Sequence, residues 1–151
     1  MKDKTKTYLI LTKNGLANKV EVPEDKYIKA GIISPQNYIK LEKGDKIMNN
    51  LDITTAVTIF LMSKEGFGFK FNHSDIRVMG ADSPGVSVIN LPKKDSLGTA
   101  LIEEDEIGNT LTVYAPGTDT FVEINKREVP TMKRGAQGVR LIKTVKVNHG
   151  E

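Results

Sequence analysis

The side chains of this chain that could do chemistry are few, and most of them are cations. Of 151 residues, 22 are lysine or arginine and 19 are aspartate or glutamate, a formal charge of +3. Histidine occurs at His73 and His149 only, and cysteine is absent. A protein zinc site needs at least three nitrogen, sulfur or carboxylate ligands held together, and nothing in the sequence places a third ligand beside either histidine. Without thiols there can be no disulfide and no thiolate-bound metal. Gly66-Phe67-Gly68 lacks the third glycine and the following helix of a dinucleotide-binding loop, so it reads as a turn and a strand. Tyr8 and Tyr114 lie in apolar runs and read as core; Tyr27 and Tyr38 fall in an irregular stretch and read as packed or surface residues. No catalytic residue, metal ligand or cofactor-binding residue is therefore expected.

Binding remains. Lysine and arginine recruit a polyanion by neutralising phosphates and releasing condensed counterions, which requires no base reading. Glu103-Glu104-Asp105-Glu106 concentrates four negative charges in one run, read as a solvated linker. With those four set aside, 22 positive residues face 15 negative ones. The candidate phosphate ligands form three groups. Lys19, Lys70 and Arg140 are expected to point outward from strands. Lys13 and Lys64 sit in turns. Arg77, Lys126, Arg127, Lys133 and Arg134 precede a glycine-valine element. Lys13 recurs as Lys64 and Lys19 as Lys70, so the charge repeats with the fold. Arg77 follows Asp75-Ile76 and could equally pair with a carboxylate of its own module.

The elements that must position these cations are strands. Tyr8–Thr12, Val57–Ser63 and Leu111–Ala115 are short β-rich runs, each ending at a glycine-containing turn and followed by a second strand. Asn14-Gly15 suggests a type I′ hairpin turn, which needs positive φ at both central residues. The aromatics of Phe67-Gly68-Phe69-Lys70-Phe71 alternate, which puts all three phenylalanines on one face and Lys70 on the other. Third strands are expected at Tyr38–Leu41, Val86–Leu91 and Val139–Ile142. Fourth strands are expected to begin at Lys46 and Ser96, and the last module ends with Val145–Val147. Gly80, Gly85 and Gly138 are expected to serve the backbone through positive φ or close approach. No stretch longer than ten residues keeps a helical period, so helices should be minor.

The middle and last parts of the chain repeat each other fifty-three residues apart. Phe71-Asn72-His73-Ser74-Asp75-Ile76-Arg77-Val78-Met79 matches Ile124-Asn125-Lys126-Arg127-Glu128-Val129-Pro130-Thr131-Met132, and Gly85-Val86 falls on Gly138-Val139. A period of this length signals a propeller-like or solenoid array. The expected architecture is all-β: one repeat domain, 1–151, of about three four-stranded modules at roughly 1–54, 55–106 and 107–151. The first module has no equivalent of Asp75–Gly80. The longest apolar run, Val57–Met62, is far short of the roughly 20 residues a membrane-spanning helix needs. No signal-peptide core follows the basic start, so no membrane partner is expected and the cytoplasm is the default location.

Thr12-Lys13-Asn14-Gly15, Ser63-Lys64-Glu65-Gly66, Phe71 to Gly80, Gly85-Val86 and Arg134-Gly135-Ala136-Gln137-Gly138-Val139 together resemble the C-terminal domain of the A subunit of bacterial type IIA topoisomerases, DNA gyrase and topoisomerase IV. The resemblance samples all three modules. It implies a β-pinwheel, a propeller-shaped array whose blades exchange strands. It also implies wrapping of duplex DNA on a basic rim, with delivery to a separate cleavage core. The implied partners are duplex DNA, its ATPase partner subunit, and the remainder of the topoisomerase chain, in the bacterial cytoplasm on the nucleoid. The parent would be an ATP-dependent topoisomerase, but the tyrosine, magnesium and ATP machinery of that enzyme has no match here. Nor does the glutamine-arginine-glycine box of gyrase; Arg134–Gly138 is at best a remote echo. Three modules are fewer than a typical gyrase domain carries, so an open, partial ring with exposed blade edges is expected. A different class of function follows from that openness: a protein-contact or self-association module whose basic surface is incidental.

Overall fold

A computed structural model describes residues 5–28, 32–103, 110–115 and 120–142. The strands are β1 (Thr5–Thr12), β2 (Leu16–Pro23), β3 (Ile47–Asp52), β4 (Thr58–Ser63), β5 (Phe67–Asn72), β6 (Val86–Ser87), β7 (Leu97–Glu103), β8 (Thr110–Ala115), β9 (Thr120–Asn125) and β10 (Val139–Arg140). The only helical pieces among the described residues are four 3-10 turns. Val145–Val147, the turn 116–119, His149 and most of the acidic run lie outside the described residues.

Each of the first two blades starts from a hairpin built the same way. The Gly15 amide donates to the Thr12 carbonyl at 3.0 Å, and the Gly66 amide to Ser63 at 3.0 Å. Gly15 and Gly66 have φ of 88° and 96°, whereas Asn14 is not at positive φ. These are ordinary turns followed by a left-handed glycine rather than type I′ turns, and only the glycine position demands positive φ. The hydroxyl of Thr12 accepts from Leu16 N–H at 3.1 Å, and that of Ser63 from Phe67 N–H at 3.3 Å, closing both loops alike.

The strand orders are β3-β1-β2-β6, β10-β5-β4-β7 and β8-β9. β6 follows β5 in the chain yet pairs with β2, and β10 follows β9 yet pairs with β5. Each of the two four-stranded blades thus completes itself with a strand lent by the next module. The array is an open all-β pinwheel, and its last blade has two strands among the described residues.

Tyr38–Leu41 is not a strand. Pro35–Tyr38 forms a 3-10 turn instead. Aligning the turn Glu42–Asp45 with Pro92–Asp95 puts Pro35 where Gly85 stands, and proline cannot take the φ of +90° that Gly85 adopts. The segment folds back on its own blade. Tyr27, Ile33, Tyr38 and Ile39 cover Tyr8, Ile10, Val20 and Val22 on the outer face of the first sheet.

The main core lies between the first two sheets, where Leu9, Leu11 and Ala17 meet Ile59, Leu61, Phe69 and Phe71 under Ile76, Val88 and Ile89. A second seam packs Phe60 and Met62 against Val113, Ile124 and Val129. The middle blade is therefore apolar on both faces. Fully burying each large side chain contributes roughly 1.5–3 kcal/mol, so the seams are what hold the short strands together. Phe69 and Phe71 are core, while Phe67 is only half-buried. Tyr114, expected inside, is 41% exposed and packs edge-on to Phe121 at 5.6 Å, because no described element covers that face.

Candidate nucleic-acid interface

The repeated motif turns out to be a docking arm. After β5, Asn72 Oδ1 accepts from Ser74 N–H at 2.9 Å and starts the turn His73–Asp75. Asn125 does the same with Arg127 N–H at 2.9 Å. Ile76 and Val129 then plug into the core. Next, Met79 N–H donates to Lys19 O at 2.7 Å and Met132 N–H to Lys70 O at 2.8 Å. The chain returns through Gly85 or Gly138 to form β6 or β10. A Cβ on Gly85 would run into the carbonyl of Ala17, and one on Gly138 into the carbonyl of Gly68. Gly80 has neither positive φ nor a close neighbour, so no backbone need for glycine exists there.

Where the two arms meet, their cations converge. Arg77, Arg134, Asp75, Ile76, Met79 and Val86 line a depression of about 360 Å³. Lys133, Arg134 and Asp75 line an adjoining hollow of about 340 Å³. Arg134 Nη1 donates to Ser87 O at 2.9 Å, which fixes the guanidinium while leaving its other donors for a phosphate. Arg77 is exposed and forms no ion pair among the described residues, so the carboxylate pairing open to it is not made.

Two of the expected ligands are drawn back from solvent, Lys19 fully and Lys70 in part. Lys19 is 8% exposed, and its ammonium donates to His73 O at 3.1 Å and Ile76 O at 2.9 Å. Burial holds its pKa below the usual lysine value, with the Glu21 charge pulling the other way. Lys70 pairs with Glu103 at 3.3 Å, its side chain 22% exposed. Strand alternation sends both side chains away from one core face, but in a stack of blades the opposite face is another seam, not solvent. Arg140 is exposed, yet it lies 4.4 Å over the Phe67 ring and donates to Glu65 O at 3.2 Å. Lys126 and Arg127 sit in the turn after β9 and do not line the depression.

Lys13 and Lys64 occupy the hairpin turns, Lys13 half-buried and Lys64 exposed. Beside each turn lies a second loop, held by an aspartate. Asp45 Oδ1 accepts from Asn14 N–H at 3.0 Å and Lys46 N–H at 2.8 Å. Asp95 Oδ1 accepts from Glu65 N–H at 3.1 Å and Ser96 N–H at 2.8 Å. These contacts bring Lys43, Lys46, Lys93 and Lys94 to the hairpin tips. Sequence reading missed that group, although the recurrence of Lys-x-Asp in both loops was a usable signal.

His73 Nε2 lies 2.7 Å from the Ala56 carbonyl. Among the described residues no group of three histidine or acidic side chains could hold a metal ion, and no helix is long and apolar enough to cross a membrane.

Comparison with known proteins agrees with this fold. The family model described as DNA gyrase C-terminal domain, beta-propeller, matches residues 58–102 and 124–148. The DNA gyrase A subunit of Borrelia hermsii is 32% identical over 144 residues, covering 95% of this chain and 17% of that protein. Its Escherichia coli counterpart is 30% identical over 139 residues, covering 91% and 15%. The DNA topoisomerase 4 A subunit of Streptococcus pyogenes is 22% identical over 139 residues, covering 92% and 16%. The chain therefore spans less than a fifth of the relatives it matches. A solved DNA gyrase A C-terminal domain superposes with a TM-score of 0.70 at 25% identity, covering 91% of this chain and 43% of that one. The C-terminal domain of DNA topoisomerase IV shares the fold at a TM-score of 0.69 and 18% identity, covering 89% and 41%.

Proposed function

The chain belongs to the family of DNA gyrase C-terminal domains, and on that premise we propose that it binds and wraps duplex DNA without sequence preference and without chemistry of its own. Its role is to present DNA to the cleavage core of a type IIA topoisomerase during ATP-dependent topology change. The bacterial nucleoid, the rest of the topoisomerase chain and its ATPase partner are the implied setting. The observation that carries this reading is the convergence of Arg77, Lys133 and Arg134 on the seam where two arms meet. The tip lysines Lys13, Lys43, Lys46, Lys64, Lys93 and Lys94 extend the basic surface.

A mobility-shift titration tests it. Duplex binding is expected at ~50 mM salt, with log K falling linearly in log salt by about 0.9 per phosphate neutralised. Arg77→Ala with Lys133→Ala should weaken binding about tenfold, equally for unrelated sequences, and lower the salt slope by about 2. Absence of wild-type binding at that salt refutes the proposal, and a loss confined to one sequence refutes phosphate contact.

A second reading is favoured by one observation. No described strand pairs with the outer edge of β9, and Phe121 within that strand is 67% exposed. Open edges are templates for another chain, so self-association through this blade is a separate, testable use of the fold.

A further inference from the structure

The basic seam contains one residue of the wrong sign. Asp75 lines both hollows, together with Arg77, Arg134 and Lys133. It is exposed, and among the described residues its carboxylate makes no hydrogen bond and no ion pair with those cations. It is not needed to start its turn, because Asn72 already accepts from the Ser74 amide. The repeat nevertheless keeps the sign of this position: Glu128 follows Asn125 as Asp75 follows Asn72, although Arg77 becomes Pro130. The negative charge recurs although the cation two residues further on does not.

We propose that Asp75 is a brake on the polyanion contact, an affinity-setting residue that opposes phosphate in the seam and eases release of the duplex. This deepens the DNA-binding reading and rests on it. A carboxylate and a phosphate sharing a hollow repel through solvent-screened space. The repulsion lowers affinity without touching the cations that make the contact. A domain that must hand its duplex to another site is served by a contact that is many-valent but individually weak.

The decisive comparison is between Asp75→Asn and Asp82→Asn. Both remove one negative charge, but Asp82, exposed on the same arm, lines neither hollow. At ~50 mM salt Asp75→Asn should bind duplex roughly threefold to tenfold more tightly than wild type, and the gain should shrink as salt rises. Asp82→Asn should change affinity less than about twofold, the effect of net charge alone at a distance. Asp75→Glu should bind like wild type, and Asp75→Ser should reproduce the gain if the asparagine variant folds poorly. If wild type binds and the Asp75→Asn and Asp82→Asn variants shift equally, or Asp75→Asn binds no better, the brake is refuted while the binding reading stands. If wild type does not bind, both fall.

Discussion

Lys19 shows how far one residue's role depends on what lies behind its strand. Its ammonium spans from β2 to the carbonyls of His73 and Ile76, and so ties the first blade to the arm of the second. Replacement by methionine keeps the aliphatic length but removes the donor to the Ile76 carbonyl, while His73 O keeps the Ile76 N–H. The cost should be about 1–3 kcal/mol in urea unfolding, since an orphaned buried acceptor loses its full solvation. The pH dependence has a definite sign. Burial lowers the folded-state pKa below that of the unfolded chain, so between the two values the unfolded state binds more protons. Stability from this group therefore rises with pH in that alkaline window. The gap between wild type and Lys19→Met should be at least as large at pH ~10.5 as at pH ~8. A gap that closes would mean an ion pair, rather than burial, governs the amine. The duplex affinity of the folded variant should match wild type, in contrast to a variant at Lys133.

At the scale of elements, the arm is the unit that organises everything else. Its existence is legible in the sequence, because Asn72, Asp75, Ile76, Met79 and Gly85-Val86 recur at constant spacing. Its destination is not, because two-residue alternation encodes a face but not the partner strand. For that reason alternation alone turns Lys19 and Lys70 outward, and a β-rich composition alone makes Tyr38–Leu41 a strand. The cations that converge at the seam are legible as residue types. That Arg77 and Arg134 come from different modules and share one hollow depends on β6 leaving its own blade for β2. Two glycines test the arm directly. Gly85→Ala imposes a strained φ and a collision with the Ala17 carbonyl, and should cost at least about 2 kcal/mol. Gly80→Ala meets open space and should change the thermal midpoint little. Equal effects at the two positions would show that the arm tolerates displacement and is not the clasp between blades.

At the scale of the whole molecule, the first and last described blades differ. The first blade is sealed by its own irregular segment, with Ile33 and Ile39 packed on Tyr8 and Val22. The last blade is built unlike an acceptor. At the place of Ala17 and Gly68, where an arm approaches closely, β9 has Phe121; at the place of Lys19 and Lys70 it has Glu123. A further arm of the kind seen in β6 or β10 would meet a bulky ring and a carboxylate that cannot donate to its carbonyls. The exposed aromatic pair Tyr114–Phe121 instead makes the surface beside the β9 edge partly apolar. Open edges are templates for another copy, and the single charge of Glu123, on the same strand face as Phe121, makes such pairing weak and reversible rather than abolishing it. Sedimentation of the wild-type chain at ~100 µM should therefore show reversible self-association. Phe121→Lys should abolish it without loss of fold, because the exposed Phe121 contributes little to the buried seam. A wild-type chain that stays monomeric up to millimolar concentration would remove self-association as a use of this edge, and leave the duplex as the partner that the repeated cations favour.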